Sequence, residues 1–157
     1  MEPFPHLYSV EAVGSADGHV DVDSAGLPQL QSAPPPQFGG PGGQWSPESL
    51  LAAAAASCFI LTFRAIARAS HLNWTRLEAK VDATLDRVDG VTRFTRIVTR
   101  AALTVPAGTS TVSCERALTK AEAGCLIANS LRGERELQME IIKSTDAESE
   151  LQLAQSS

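Results

Sequence analysis

The most constraining feature of this sequence is a long helix signal that follows a loop rich in proline and glycine. Residues 33–45 read APPPQFGGPGGQW, a composition that continues neither a helix nor a strand. Directly afterwards, Ser46 can cap a helix, Pro47 suits the first helical position, and Glu48 favours the positive end of the helix dipole. The pattern predicts a helix from Pro47 to about Ser70.

This helix is apolar on every face between Leu50 and Phe63, and it contains five consecutive alanines. A helix without a polar face has to be enclosed by protein on all sides. The pattern therefore predicts the central, buried helix of the fold. The longest apolar run, residues 50–61, is shorter than the ~20 residues that span a bilayer, so we expect no membrane segment.

Strand signals flank this helix, and most are joined by short turns. Before it, strands are predicted at Leu7–Val10, His19–Asp23 and Leu27–Gln31, with a hairpin turn at Asp17-Gly18. After it, residues 75–88 alternate strictly, and the inward positions are Leu77, Ala79, Val81, Ala83 and Leu85. Asp89-Gly90 is a second hairpin turn, and the return strand runs from Val91 to Val105 with a bulge expected near Phe94 and Ile97.

The remaining pattern completes an α+β fold. A second helix is predicted over residues 109–131, broken near Gly124, and a final strand over Glu136–Ile142. Strands grouped by hairpins and separated by helices predict a largely antiparallel sheet packed on two main helices. We expect one domain over residues 1–144 and a polar tail over 145–157.

Charge and composition exclude several functions. The formal net charge of −5 argues against nucleic-acid binding, which usually requires a basic patch. The Gly/Pro loop lacks the Gly-Lys-Ser/Thr ending and the GxGxxG spacing of phosphate-binding loops. Only eight aromatic residues are present, so the core should be thin and a second copy should help to cover it. Because the start carries no basic segment typical of a signal peptide, we expect a cytoplasmic protein.

The three cysteines are the residues best suited to chemistry, and we expect free thiols. On an unbroken helix Cys114 and Cys125 would lie ~16 Å apart, too far for a disulfide. If two cysteines react with each other, the sequence permits Cys58 and Cys125. Both lie in apolar helices, and nothing in their spacing keeps them apart. No cysteine or histidine spacing suits zinc, and we expect no metal or bound cofactor. His71 would lie ~20 Å from Cys58 along the helix, which excludes a Cys–His hydrolase within one chain.

The segment FGGPGGQWSPESLLAAAAASCFILTF resembles the signature of the OsmC/Ohr family of thiol peroxidases. That signature is a Gly/Pro-rich loop, a Pro-Glu helix start and an alanine-rich helix with a cysteine ten residues after the glutamate, as in Glu48 and Cys58. The segment CLIANS, residues 125–130, is similar to the second motif of the family, although the family usually has proline where this chain has Leu126. The resemblance covers about residues 7–142.

The resemblance implies a peroxidase that reduces organic hydroperoxides and forms an intertwined homodimer with the OsmC-like fold. Cys58 would attack the O–O bond and Cys125 would resolve the sulfenic acid as a disulfide, with Glu48 in the same site. An external dithiol, of the lipoyl type or on a lipoylated protein, would be the reductant. An apolar pocket would suit organic peroxides, and Phe38, Phe59 and Phe63 are its candidate lining residues, although core packing explains them equally well.

One departure from the family concerns electrostatics. The family has an arginine in the first hairpin that stabilises the thiolate, and this chain has Ala16 at the matching place. His19, Arg64 or Arg68 could supply the charge, or the pocket could be wet enough without it. The alternative function is a divergent, non-catalytic OsmC-like protein that binds a small apolar ligand at a dimer interface, and a structural dimeric domain with inert cysteines is a third.

Because the resemblance implies that Glu48 and Cys58 share one site, helix geometry also predicts a dimer. In a straight helix Glu48 and Cys58 are ~15 Å apart along the axis and ~80° apart around it, so they cannot meet within one chain. A two-fold pairing in which the loop and Glu48 of one chain cover Cys58 of the other would bring them together. A break in the helix is the competing explanation, and the alanine run argues against it.

Overall fold

The computed structural model describes residues 3–144, and the predicted polar tail at 145–157 lies outside this range. The described part of the chain divides into two compact units, residues 3–51 and 52–144. The strands are β1 (Glu11–Gly14), β2 (Val20–Asp23), β3 (Leu30–Ser32), β4 (Arg76–Val88), β5 (Val91–Pro106) and β6 (Glu134–Ser144). The helices are α1 (Pro47–Ala69), α2 (Thr111–Gly124) and α3 (Leu126–Asn129). The order and type of the elements confirm the predicted α+β class.

The first unit holds an antiparallel sheet in the order β1-β2-β3. The predicted turn is present, with Gly18 at φ 96°, but the first strand is Glu11–Gly14 and the prediction of Leu7–Val10 was wrong. Strand β2 ends at Asp23, opposite Glu11, so the residues before Glu11 have no strand opposite them to pair with.

The Gly/Pro-rich loop is tightly closed within the first unit. A 3-10 turn occupies Pro36–Phe38, and the Ala33 amide donates to the Trp45 carbonyl at 2.8 Å. A Cβ at Gly40 would lie 1.6 Å from the carbonyl oxygen of Pro34, so only glycine fits there. Helix α1 then starts at the predicted place, because Ser46 Oγ accepts from the Ser49 amide at 3.2 Å.

The second unit holds a sheet in the order β4-β5-β6. The β4–β5 pair is antiparallel with the predicted turn, where Asp89 and Gly90 have φ 52° and 76°. The register shifts so that Thr84 and Leu85 oppose Arg96 and Phe94, which leaves Thr95 as the predicted bulge. The β5–β6 pair is parallel, since α2 and α3 carry the chain back between those strands.

The core of the second unit forms where α1 and α2 cover one face of this sheet. Its fully buried members include Phe59 and Phe63 on α1, Leu103 on β5 and Leu118 on α2. The ring of Phe63 meets that of Trp74 edge-on at 5.3 Å between centroids. This packing fixes the side of α1 that faces α2, which is also the side that carries the reactive groups described below.

Helix α1 is continuous from Pro47 to Ala69. The helix therefore has no break that could bring Glu48 close to Cys58 within one chain. Within the chain its buried residues form a single stripe: Ala55, Phe59, Phe63 and Ala67. Only 22% of its most apolar 18-residue stretch is buried, and Leu61 is 56% exposed. Residues 3–144 of one chain therefore do not provide the cover on all sides that the sequence predicts. By length and composition alone α1 could cross a membrane, as the core helix of a soluble protein also could.

Candidate active site

Two of the three cysteines meet where the break between α2 and α3 packs against α1. Cys58 lies on α1 and is partly exposed, whereas Cys125 caps α3 and is 1% exposed. The sulfur of Cys125 lies 3.8 Å from the carbonyl oxygen of Ala55, one turn before Cys58 on α1, and each of the two cysteine side chains shifts the pKa of the other. The structure thus brings together the cysteine pair that the sequence permits to react.

The surroundings of Cys58 and Cys125 shift their pKa values in opposite directions. Burial works to raise the pKa of Cys58, but donors from the Ile127 amide, the Cys125 thiol, Thr62 and the Leu126 amide outweigh it and lower this pKa below the ordinary value. Burial raises the pKa of Cys125 to about 11. Cys58 is therefore the thiol with nucleophilic character, and Cys125 is the thiol that keeps its proton.

The segment that carries Cys125 is fixed by close packing and by a polar clamp. A Cβ at Gly124 would lie 3.3 Å from Thr62 Cγ2, and Thr62 Oγ1 is 4.0 Å from the Cys58 sulfur. Arg135 on β6 donates to Asn129 Oδ1 at 2.7 Å and pairs with Glu122 at 3.8 Å. These contacts hold both ends of the break, so the position of Cys125 against α1 is defined by the fold.

Cys114 lies apart from this pair. It is fully buried in the core on α2, and burial raises its pKa, opposed by the charge of Lys143. The unbroken α2 separates it from Cys125 by three turns. Cys114 behaves as a small apolar core residue.

Glu48 and the three candidate aromatic residues have different environments. Glu48 lies in the first turn of α1, and its Oε2 is buried without a hydrogen-bond partner among residues 3–144. Phe59 and Phe63 are 1% and 0% exposed, so these core residues present no surface to a substrate within one chain. Phe38 is 58% exposed, and its place in a substrate pocket stays a prediction.

Sequence reasoning missed four groups of the site: Thr62, Arg135 and the amides of Leu126 and Ile127. Thr62 is four residues after Cys58, so helical spacing alone could have placed it on the same face. Nothing in the sequence pattern signals the amides, because their role depends on how the chain turns after Cys125. No group of His, Cys, Asp and Glu that could hold a metal ion occurs in the described part of the chain.

The three thiols are expected to differ strongly in reactivity. At pH 7 iodoacetamide should modify Cys58 first, because its pKa is lowered and its side chain is accessible. Cys125 should react only as the pH approaches about 11, and Cys114 should stay protected in the folded protein. Mass spectrometry of each cysteine peptide over a pH series measures this, with urea-unfolded protein as the control in which all three react alike. Equal rates for Cys58 and Cys125 at pH 7 would contradict the assignment.

Comparison with known proteins agrees with this architecture. A family model described as OsmC-like protein matches residues 40–140, which include all three cysteines and Glu48. The peroxiredoxin OsmC of Escherichia coli (strain K12) is 29% identical over 117 residues, which are 74% of this chain and 80% of that protein. An uncharacterized protein, YmaD of Bacillus subtilis (strain 168), is 28% identical over 109 residues, or 68% of this chain and 73% of the relative.

Solved structures share the fold over nearly the whole described chain. The crystal structure of an organic hydroperoxide resistance protein OsmC from Legionella pneumophila has a TM-score of 0.70 and 25% identity, covering 89% of this chain and 99% of that one. An OsmC-like protein from Mycoplasma pneumoniae has a TM-score of 0.76 at 18% sequence identity. The match covers 88% of this chain and 99% of that one, and at this identity it is evidence for a shared fold and for nothing further.

Proposed function

This chain belongs to the OsmC-like protein family, and from that premise we propose that it is a thiol-dependent peroxidase that reduces organic hydroperoxides to alcohols. The observation that carries the proposal is the contact between Cys58 and Cys125, whose pKa values are shifted in opposite directions. A nucleophilic thiolate beside a protonated thiol is the arrangement that a two-cysteine peroxidase needs.

The reaction proceeds through three covalent steps. The Cys58 thiolate attacks the terminal oxygen of the hydroperoxide, the O–O bond breaks, and Cys58 becomes a sulfenic acid while the alkoxide takes a proton to leave as an alcohol. The sulfur of Cys125 then attacks the sulfenic sulfur, which forms a disulfide and releases water. A dithiol reductant, of the lipoyl type or carried on a lipoylated protein, returns both cysteines to thiols and is itself oxidised to a disulfide.

Apolar side chains beside the thiols favour an organic substrate over hydrogen peroxide. Leu126 and Ile127 follow Cys125 directly and are 73% and 37% exposed. Their side chains offer an apolar surface next to the sulfur that attacks, where the organic group of a hydroperoxide would be desolvated. Hydrogen peroxide has no group that would benefit from this surface.

We also propose that the working form is a homodimer in which each site receives Glu48 from the second copy. The unbroken α1 keeps Glu48 and Cys58 of one chain about 15 Å apart along its axis. An unpartnered, buried carboxylate oxygen at Glu48 costs about 1–3 kcal/mol or more, which a donor from the second copy or the substrate would offset.

A thiol count after oxidation tests the proposed function. One equivalent of cumene hydroperoxide added to the reduced protein should remove two free thiols per chain, and dihydrolipoamide should restore them. Cys114→Ser is the matched control: it starts with one thiol fewer and should lose the same two. Unchanged thiols would contradict the peroxidase proposal and favour the alternative, a non-catalytic protein that binds a small apolar ligand at a dimer interface.

A further inference from the structure

Cys125 lies in the short break between α2 and α3, and neither helix fixes its position unaided. Its backbone is extended, with φ −66° and ψ 109°, at the point where α2 has ended and α3 has not begun. Helix α3 has only four residues, too few to be stable without contacts from elsewhere in the fold. The Asn129 amide donates to the Cys125 carbonyl at 2.9 Å, so whatever holds Asn129 also holds Cys125.

Arg135, on strand β6, links both sides of this break through its guanidinium group. On one side, Nη1 donates to Oδ1 of Asn129 at 2.7 Å. On the other side, Nε lies 3.8 Å from Oε1 of Glu122, in the last turn of α2. The Asn129 side chain also donates from Nδ2 to the Ala123 carbonyl at 3.0 Å, which ties α3 to α2 directly. Glu122, Asn129 and Arg135 together form the polar clamp.

The polar clamp is anchored to a well-packed strand and is partly shielded from water. Strand β6 pairs with β5 along its whole length, and Arg135 lies opposite Ile97, which is 2% exposed. The side chains of Glu122 and Arg135 are 14% and 30% exposed. Charge-assisted contacts are worth more at such a place than on an open surface, because water competes less for them. Arg135 therefore ties the break to the sheet.

Contacts with α1 restrict the break from one direction only. The backbone of Gly124 comes so close to α1 that a Cβ would lie 3.3 Å from Thr62 Cγ2, and the Cys125 sulfur is 3.8 Å from the Ala55 carbonyl oxygen. Such packing prevents the break from moving closer to α1. The polar clamp supplies the opposite restraint, because its bonds have to break before the segment can move away.

We propose that Arg135 is a positioning residue for disulfide formation: it holds Cys125 where its sulfur meets the sulfenic acid of Cys58 before a second peroxide does. The inference rests on the proposed function and concerns its second covalent step. In that step the S–S bond forms, the S–O bond of Cys58 breaks, and the thiol proton of Cys125 leaves with the hydroxyl group as water.

A competing reaction makes the position of Cys125 matter. A second hydroperoxide can transfer its oxygen to the sulfenic acid, so that Cys58 becomes a sulfinic acid and an alcohol is released. A displacement of Cys125 by about 1 Å slows the attack of its sulfur far more than it slows this reaction, because the peroxide arrives from solution.

Arg135→Met should therefore change the ratio of the two covalent steps. The variant keeps a long side chain but has neither the charge nor the donors of the guanidinium group. Disulfide formation should slow at least about tenfold more than the first oxidation of Cys58 by cumene hydroperoxide, and sulfinic Cys58 should accumulate in excess peroxide. Rapid mixing, quenching by alkylation and mass spectrometry of the cysteine peptides measure both rates.

Three further variants serve as controls. Arg135→Lys keeps the charge without the forked donors and should lie between the parent chain and Arg135→Met. Arg96→Met is the matched control, because it removes an ion pair to Glu136, the neighbour of Arg135 on β6, and should keep both parental rates. Asn129→Ala cuts the link to α3 but leaves Glu122 paired, so it decides the question even if Arg135→Met does not fold. A parental ratio of the two rates in Asn129→Ala or in folded Arg135→Met would overturn the proposal, as would equal slowing of both steps.

A glutathione titration tests the same positioning without peroxide. Oxidised glutathione converts Cys58 and Cys125 to the disulfide and is itself reduced to two thiols, so the equilibrium constant reports how well the fold presents the two sulfurs to each other. Arg135→Met and Asn129→Ala should lower this constant at least about tenfold, whereas Arg96→Met should leave it unchanged. If peroxide left the parental thiols intact, the proposed function would fail and the titration would still decide the role of Arg135. Equal constants for all of these chains would refute that role.

Discussion

Replacing Cys58 with serine is expected to reduce the rate of cumene hydroperoxide consumption by at least about a thousandfold, because an alcohol at this position is not ionised near neutral pH. The substitution is nearly isosteric and the residue is only partly buried, so the variant should fold normally. Peroxide loss with dihydrolipoamide as reductant measures the effect, and Cys114→Ser serves as the control that keeps parental turnover.

Cys125→Ser should behave differently from Cys58→Ser. Its Cys58 can still be oxidised once, but no neighbouring thiol remains to form the disulfide, so turnover should stop and Cys58 should proceed to the sulfinic and sulfonic acids. Mass spectrometry after an excess of peroxide should find this over-oxidised peptide in Cys125→Ser and not in the parent chain. Full multiple turnover by Cys125→Ser would remove Cys125 from the mechanism.

A charge on the uncovered side of α1 is expected to have the second large effect. Leu61→Glu places a carboxylate on the apolar face that one chain leaves 56% exposed. If a second copy covers this face, burying the unpaired charge there costs several kcal/mol and should weaken the dimer by more than about a hundredfold. Sedimentation at micromolar concentration should show a dimer for the parent chain and loss of the dimer for Leu61→Glu.

Val91→Glu is the matched control for the dimer. Val91 starts strand β5 at the hairpin turn, is 55% exposed, and receives the same charged side chain. This variant should remain dimeric and active. A stable, folded and fully active monomer of the parent chain, or a Leu61→Glu dimer as tight as that of Val91→Glu, would refute the two-chain site.

Local signals in the sequence were sufficient for the elements that position the site. Ser46 and Pro47 fix the start of α1 through capping and backbone geometry, and Gly124 correctly predicts the break that presents Cys125. The strand at Leu7–Val10 was misplaced because β propensity alone cannot tell where the opposing strand ends. The register between two strands depends on both segments, so the sequence around Leu7–Val10 alone does not show which of its residues pair with β2.

The electrostatics of the site were much less accessible from the sequence. An apolar helix with a cysteine predicts a raised pKa, and the absence of the family arginine at Ala16 strengthens that expectation. The donors that reverse it include two backbone amides, a group that every residue except proline possesses, beside the side chains of Cys125 and Thr62. Leu126 was visible as a departure from the family pattern, but its consequence for Cys58 depends on a contact between distant segments of the chain.

The role of the aromatic residues on α1, in a substrate pocket or in the core, also cannot be read from the sequence and is decided by packing. Phe59 and Phe63 suit either a substrate pocket or a core, and their near-zero exposure assigns them to the core of the second unit. Their spacing of four residues places both on the stripe that faces α2 and the sheet, and the sequence alone does not identify which stripe that is.

The central claim is that Cys58 and Cys125 form one redox pair, and disulfide mapping tests it most directly. The reduced protein is treated with one equivalent of cumene hydroperoxide, remaining thiols are alkylated, and the digested peptides are identified with and without reduction. The account predicts a single intrachain bridge between Cys58 and Cys125, with Cys114 recovered in its alkylated form. A main product that joins Cys114 to either of the other cysteines, or that links two chains, would contradict it.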